Sequence, residues 1–157
     1  MSGITRITEQ FSDARYHEAW SLVTWHPAGV LDNERADRVV DFLESEEQPD
    51  GKPFHRFTDL NGYGRMRMGL DHIVRIARRR RRYAGPPVKS AFYATRPVSV
   101  IISRMYEELM DGSLIQVCTF RDLAAAADWL GVPANLLRPP ESTTESASAP
   151  GGEAAET

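Results

Sequence analysis

Arginine is the residue type whose number and spacing could do chemistry in this chain. Residues 65–82 contain eight arginines and a single acid, Asp71. Such a cluster could bind phosphate groups or carboxylates, and hence nucleic acid, an anionic lipid or an acidic protein. No aromatic residues for base stacking stand among these arginines and no nucleic-acid motif accompanies them, which disfavours nucleic acid. The structural alternative is a solvated helix end, where the helix dipole favours cations.

Residues that usually carry catalysis or bind metals are scattered. The four histidines show neither HxH nor HExxH spacing, and residues 62–64 lack the last glycine of a dinucleotide fingerprint. They are His17, His26, His55 and His72. We interpret His26 as a packing residue at a strand end, and His72 with Asp71 as an exposed pair.

Cysteine and serine give no nucleophile. Cys118 is the single cysteine, so an intramolecular disulfide is impossible, and its strand predicts an inert thiol in the core. Ser99 and Ser103 lie in a predicted helix with no evident base. We therefore predict no catalytic residue, no metal site, no cofactor and no enzymatic activity.

Composition predicts one domain at residues 1–138, followed by a disordered acidic tail at residues 139–157. The tail consists of Pro, Ser, Thr, Glu, Gly and Ala, which cannot bury enough surface to offset the entropy of ordering. Removing its charge of −4 from the total of −3 leaves residues 1–138 near +1. No apolar stretch resembles a signal peptide or reaches the roughly 20 residues that span a bilayer, so we expect a cytoplasmic protein.

The first half of the chain predicts a hairpin followed by a helix. Residues 4–16 and 18–30 are two extended segments, and the apolar residues on both sides of the second indicate a strand buried on both faces. Asp32 can cap the next helix, since its carboxylate can accept from free amides of the first turn. Residues 54–60 form a strand that leads into a flexible loop at residues 61–64, and a helix follows from about Met68 to Tyr83.

The arginine helix has two predicted sides. Its inward stripe consists of Leu70, Ile73, Val74 and Ala77. Arg75, Arg78, Arg79 and Arg82 then face solvent, whereas Arg80 and Arg81 turn toward the buried side and extend to water at the last turn.

The second half alternates strands and helices with short links. Residues 89–95 and 114–120 are strands, Pro97 suits the first turn of the helix between them, and Gly131 ends the last helix. The middle helix places Val98, Ile101, Ile102, Met105 and Leu109 on one face. The fold class is therefore α/β: about five strands, mostly parallel with an N-terminal hairpin at the edge, and about four helices.

Residues 91–131 resemble the C-terminal half of SpoIIAA-like proteins, whose fold is related to that of STAS domains. The most specific part is Arg104-Met105-Tyr106, Phe120 and the ADWLG sequence of residues 127–131. The resemblance implies a small non-enzymatic domain, which in some relatives is a partner-binding switch. The fold is also similar to that of CRAL-TRIO lipid-transfer proteins, which implies an apolar ligand as an alternative.

One departure from that pattern bears on regulation. In antagonist domains the strand ending in Asp-Leu precedes a loop with a phosphorylatable Ser or Thr. Asp59-Leu60 fits the strand end, but residues 61–69 contain neither Ser nor Thr. Tyr63 could be modified in principle, although packing in the loop or exposure to solvent is the ordinary role. The sequence does not support a serine switch.

Two functional hypotheses follow. The first is a regulatory or scaffolding module that contacts an acidic protein, or its own acidic tail, and could act as a homodimer. Its surface would comprise Tyr63, Arg65, Arg67, Arg75, Arg78, Arg79 and Arg82. The second is a binder of a small apolar or lipid-like ligand between helices and sheet. Its pocket would be lined by Tyr63, Met66, Met68, Ile101 and Met105.

Overall fold

The computed structural model describes residues 11–47 and 52–140, which contain seven strands and four α-helices. The strands are β1 (Ala14–His17), β2 (Leu22–Trp25), β3 (Gly29–Asp32), β4 (His55–Asp59), β5 (Tyr63–Arg67), β6 (Val88–Tyr93) and β7 (Ile115–Phe120). The helices are α1 (Asn33–Glu46), α2 (Leu70–Arg80), α3 (Pro97–Leu109) and α4 (Leu123–Leu130). Short 3-10 turns occupy Glu18–Trp20, Leu60–Gly62 and Ala134–Leu137.

Five of the strands form the main sheet, in the order β1-β2-β4-β6-β7. β1 and β2 pair antiparallel as a hairpin, and every other neighbouring pair in this sheet is parallel. The predicted fold class, a mostly parallel sheet with an antiparallel edge and four helices, is confirmed. All four residues of β2 are buried, as the apolar residues on both of its faces predict.

A second sheet was not predicted. β3 and β5 pair in parallel as a two-stranded sheet, so residues 61–64 are not the flexible loop expected from their two glycines. The single long strand predicted for residues 18–30 is also wrong, because it divides into a 3-10 turn, β2 and β3. Gly62 permits a close approach here, since a Cβ at this position would lie 1.9 Å from the backbone oxygen of Pro27.

Local signals placed most helix ends correctly. The Asp32 side chain accepts a hydrogen bond from the Arg35 amide at 2.8 Å, Pro97 occupies the first turn of α3, and Gly131 ends α4 at a φ of 75°. The arginine helix is shorter than predicted. It runs from Leu70 to Arg80, and residues 81–83 continue only as a turn.

The helices cover both faces of the main sheet. α4 packs on one face, where Ala126 and Ala127 meet Leu22 and Phe57 of the strands. α1, α2 and α3 lie on the other face, to which β2 contributes Val23 and Trp25. This three-helix face is the one that contains the candidate site.

The outermost strand changes the expectation for the single cysteine. β7 is an edge strand of the main sheet, so Cys118 is half-buried instead of lying in the centre of the core. Burial raises the pKa of its thiol, with a further contribution from Glu107, so the thiolate is disfavoured. An unreactive thiol is therefore still the expected behaviour.

Among the described residues, no helix is long and apolar enough to cross a membrane.

Candidate functional site

A cavity of about 170 Å³ lies between α1, α2, α3 and the main sheet. Its walls are mainly apolar. α1 contributes Val39, Val40 and Leu43, and α2 contributes Ile73 and Ile76. The amphipathic helices that cover the sheet therefore leave a space between them instead of closing completely over it.

The small second sheet supplies the flexible part of the wall. Pairing of β3 with β5 places Leu31 opposite Met66, and both residues line the cavity. Met68 follows β5 and packs with Ala36, Val40 and Ile76. The structure thus brings Met66 and Met68 to a cavity wall, which is where the ligand hypothesis requires them.

Helix α3 faces the cavity with different residues from those expected. Its lining residues are Ile102, Ser103 and Tyr106, whereas Ile101 is 64% exposed and lies on the outer surface. Met105 is half-buried and is not part of this lining. The inward face of α3 is thus rotated from the predicted one, which also exposes Val98.

Two serines lie on the buried face of α3. Ser99 and Ser103 are buried, and the Ser103 hydroxyl donates to the Ser99 carbonyl oxygen at 2.8 Å. A serine whose hydroxyl bonds to its own helix can be buried at little cost. The predicted apolar face of this helix did not include either serine.

Three ionised side chains form a cluster at the polar end of the cavity. Arg56 of β4 and Arg80 of α2, which both line the cavity, bind the carboxylate of Glu47. Arg80 donates from Nη1 to Oε1 at 2.8 Å and from Nη2 to Oε2 at 2.6 Å, and Arg56 Nη2 donates to Oε2. The three side chains are only 4%, 4% and 7% exposed, so we call Arg56, Arg80 and Glu47 the buried triad.

Burial and pairing act in opposite directions on the two arginines. Burial lowers the pKa of Arg56, and the nearby Glu47 opposes this only in part. Burial also disfavours the charged form of Arg80, but its hydrogen bonds to Glu47 and the charge of that carboxylate outweigh the effect and raise its pKa. Arginine is not deprotonated in proteins, so the triad carries two positive charges and one negative charge.

Tyr106 and Tyr63 line the cavity as neutral phenols. Burial raises the pKa of Tyr106, although nearby Arg80 and Arg56 act in the opposite direction. Burial raises the pKa of Tyr63 to about 12, and the Arg35 guanidinium lies 4.9 Å from the centre of its ring. Tyr63 is 5% exposed, so it belongs to the cavity wall and not to the surface that the partner hypothesis assigned to it.

The outer side of α2 carries arginines that are exposed, in contrast to the buried Arg80. Arg75, Arg78 and Arg82 are exposed at intervals of three and four residues, and we call them the arginine stripe. Arg79 departs from the expectation of a free solvent-facing cation. Its guanidinium donates to Asp41 at 2.5 Å and to Glu44 at 2.7 and 2.9 Å, which raises its pKa.

Three other arginines of the cluster lie at the surface. Arg65 and Arg67 are exposed on β5. Arg81 is exposed, but its Nη1 donates to the carbonyl oxygens of Leu109 and Asp111 at the end of α3. The eight arginines therefore do not form a single surface, because α2 and β5 present them in several directions.

Two further expectations for α2 are wrong. Leu70, which was assigned to the buried stripe, is 61% exposed, and Ile76 is buried in its place. His72 does not form an exposed pair with Asp71. Its Nε2 lies 2.7 Å from an Asp37 carboxylate oxygen of α1, so this histidine links two helices.

The histidine at the end of β2 has a packing role, as predicted. The His26 ring lies 5.9 Å from that of Phe57, and its Nε2 lies 2.9 Å from the carbonyl oxygen of Leu137. Within residues 11–47 and 52–140, no group of three or more His, Cys, Asp or Glu residues could hold a metal ion.

The buried triad was missed because its members come from three separate segments. Glu47 stands in an acidic run with Glu44 and Glu46, and Arg80 stands among four other arginines. Arg56 did carry a signal. An arginine inside an apolar strand that is buried on both faces has to be paired, so the FHRFTDL segment called for an acidic partner.

The fold defined by these elements is a mixed α/β domain with a mostly parallel main sheet. The chain is similar in structure to an uncharacterised protein of the DUF3478 family with a SpoIIAA-like fold from Shewanella loihica PV-4. The two share 16% sequence identity with a TM-score of 0.46, over 69% of this chain and 83% of the other. At that identity and TM-score, no ligand, partner or activity is transferred.

No protein-family model and no curated protein matches this chain.

Proposed function

We propose that this protein is a non-enzymatic module that binds a small apolar ligand in the cavity between α1, α2, α3 and the main sheet. The observation that carries the proposal is the cavity of about 170 Å³ with its mainly apolar walls. An engineered apolar cavity of about 150 Å³ is large enough to bind benzene. A ligand with on the order of six to ten non-hydrogen atoms therefore suits this space.

The size of the cavity favours an occupant. A space of about 170 Å³ leaves the apolar side chains that line it without partner atoms on one side. A ligand with an apolar body of matching size would restore those contacts.

The composition of the wall suits a ligand of variable shape. Met66 and Met68 lie on and directly after β5, at the edge of the small second sheet. Methionine side chains are unbranched and polarisable, and they adapt to irregular surfaces. The neighbouring parts of the wall are formed by branched residues such as Val40 and Ile76, which hold their shape.

A cavity-filling variant with a matched control tests the proposal. Val40 is buried and lines the cavity, whereas Val98 is 55% exposed on the outer side of α3. We expect 1-octanol to cause saturable amide shifts near Met66, Met68 and Ile102 in 15N NMR spectra of the full chain. Val40→Phe should abolish these shifts because its ring occupies the space, and Val98→Phe should keep them.

Absence of saturable shifts, or equal shifts in both variants, would contradict this ligand site. Shifts confined to Val98 and Ile101 would instead indicate nonspecific contact with the exposed apolar face of α3.

A regulatory or scaffolding role through contact with an acidic protein is the second candidate function. The observation that favours it is the exposed arginine stripe, with Arg65 and Arg67 also exposed on β5. The partner could be a separate protein or the chain's own acidic segment at residues 139–157. Such contact would weaken steeply from low to moderate ionic strength, whereas binding in the apolar cavity would not.

Polyglutamate binding of the full chain at low and moderate salt tests this second function. We expect the triple variant Arg75→Gln, Arg78→Gln and Arg82→Gln to bind more weakly and with less salt dependence. Equal binding by the triple variant and the unmodified chain would exclude the stripe as the docking surface. Light scattering on the same samples would test the homodimer predicted from the sequence.

A further inference from the structure

Arg56 is an unusual residue to find in the wall of an apolar cavity. It lies on β4 in the main sheet, and its side chain is 4% exposed. Its guanidinium carbon lies 4.5 Å from the centre of the Phe54 ring. Stacking on an aromatic face leaves the N–H groups in the plane of the guanidinium for hydrogen bonds.

Those in-plane donors are not all used. Nη2 of Arg56 donates to Glu47, but the buried Nε has no hydrogen-bond partner among the residues that the structure describes. A buried N–H donor without a partner costs about 1–3 kcal/mol, and more when the group is charged. The Nε position therefore calls for an acceptor that the described part of the chain does not supply.

The net charge of the buried triad also favours an anionic hydrogen-bond acceptor at this position. The buried triad has two guanidinium groups and a single carboxylate, so its three side chains carry one net positive charge beside the cavity. Glu44 contributes to the field at Arg80, but its carboxylate oxygens accept hydrogen bonds from Arg79. A second carboxylate at Arg56 would neutralise the buried charge.

The neighbouring strand adds a hydroxyl at the same end of the cavity. The register of β4 and β6 places Ser90 beside Arg56, and Ser90 is 8% exposed and lines the cavity. Thr58, two residues after Arg56 on the same face of β4, also lines it. Hydroxyls can donate to a carboxylate, so the polar end offers more than one donor for an anion.

From these observations we infer that the cavity binds a monocarboxylic acid with an apolar body, with its carboxylate at the guanidinium of Arg56. The inference rests on the proposed ligand-binding function and specifies the chemical class of the ligand. The cavity volume of about 170 Å³ suits an apolar body of roughly six to eight carbon atoms. The carboxylate completes the hydrogen bonding and the charge balance of the triad, while the body replaces the contacts missing between the helices.

Two probes of equal chain length test the inference in the unmodified full chain. Octanoate is ionised at pH 7.5 and 1-octanol is neutral, so their calorimetric affinities separate the head group from the body. We expect octanoate to bind at least about tenfold more tightly, since a charge-assisted hydrogen bond outweighs the cost of moving the carboxylate out of water. In a cavity without a usable cation the order is reversed, because the ionised group is the harder one to desolvate.

Matched variants show which arginine is responsible for the preference for octanoate over 1-octanol. Arg56→Met keeps the length of the side chain and leaves Glu47 paired with Arg80, and we expect it to reverse the preference so that 1-octanol binds more tightly. Arg78→Met removes the same charge from the exposed arginine stripe and should leave the preference unchanged. Ser90→Ala is a milder change that should weaken octanoate binding severalfold without affecting 1-octanol, and it serves if Arg56→Met does not fold.

The possible results distinguish failure of the carboxylate site from failure of the apolar site. If 1-octanol binds as tightly as octanoate to the unmodified chain, the carboxylate inference fails and the apolar site remains. If neither probe binds, the proposed function fails as well. Equal loss of the preference in Arg56→Met and Arg78→Met would also overturn the inference, because octanoate would then respond to overall charge and not to the cavity.

Discussion

The two sides of helix α2 contain the same residue type in opposite physical settings. Arg80 on the inner side is 4% exposed and is bound to Glu47, while the arginine stripe on the outer side is exposed. Removing an ion from water costs several kcal/mol, so an inner arginine has to have a suitable partner in a fixed position. An outer arginine keeps its hydration, and salt screens its charge beyond roughly 8–10 Å.

This difference separates what each side can recognise. A desolvated cation with defined hydrogen-bond geometry can select one chemical group on a small ligand. Exposed cations instead attract any acidic surface, with little dependence on its detailed shape. The inner side is therefore the better candidate for a specific function, although the outer side has more arginines and is easier to find in the sequence.

Removing the carboxylate of the buried triad should have the largest effect on stability. Glu47→Ala leaves two buried guanidinium groups without their carboxylate, and we expect it to lower the free energy of unfolding by about 3–5 kcal/mol. Asp41→Ala is the outer counterpart, since Asp41 is 64% exposed and pairs with Arg79. We expect that change to cost about 0–1 kcal/mol. Urea denaturation of both variants measures the two costs, and similar values would remove the distinction between the two sides.

Replacing the whole buried triad should affect stability much less than breaking it. Apolar residues of similar volume can substitute for a buried ion cluster at little or no cost. We expect Arg56→Met, Arg80→Met and Glu47→Leu together to unfold within about 1–2 kcal/mol of the unmodified chain, but without a preference for octanoate. A triple variant that is no more stable than Glu47→Ala alone would show that the triad organises the fold itself.

Removing the outer charges should change stability less still. The triple change of Arg75, Arg78 and Arg82 to Gln affects exposed side chains, so we expect a shift within about 0.5 kcal/mol and unchanged octanoate affinity. Thermal unfolding and calorimetry at one salt concentration would show this. A loss of octanoate binding in this variant would assign the ligand to the outer surface.

The smallest predicted effect is a loss of stability in mild acid, and it also originates on an inward-facing polar group. The Lys89 amide donates to Nδ1 of His55 at 2.9 Å, which requires that nitrogen to be unprotonated. Burial, followed by the charges of Lys89 and Arg56, lowers the pKa of His55, and burial lowers that of His17 as well. The unfolded chain therefore binds protons more readily, and stability present above about pH 6.5 should decrease as the pH falls below it.

His55→Asn is the matched control for that pH dependence, because its side-chain oxygen can accept from the Lys89 amide without titrating. We expect this variant to lose less stability than the unmodified chain between pH 7 and 5. An unchanged slope, or a gain of stability in acid, would rule out His55 as the responsible group.

The sequence predicted those parts of the fold that depend on local chemistry. The capping carboxylate of Asp32, the helix start at Pro97 and the stop at Gly131 each depend on groups within a few residues. Alternation of strands and helices then predicted a mostly parallel main sheet with the hairpin at its edge. The pairing of β3 with β5 was missed because Gly64 and two arginines give β5 a composition that is typical of a loop.

The candidate site was only partly predictable. Met66 and Met68 were proposed for a pocket and line the cavity, whereas Ile101 was assigned to the predicted apolar face of α3 and is exposed, because apolar residues lie on more than one side of that helix. A helix of that kind has no unique inward face until its neighbours are in place. The buried triad joins β4, α2 and the end of α1, and no pattern within one segment records such a contact.

The most direct measurement of the central claim is the NMR resonance of the Arg56 Nε–H group in the full chain. We predict that octanoate shifts this resonance and slows its exchange with water, that 1-octanol does neither, and that the Nε–H resonances of Arg75, Arg78 and Arg82 do not move. An Arg56 resonance that is unaffected by octanoate, together with shifts in the arginine stripe, would contradict the claim that the inner arginines recognise the ligand.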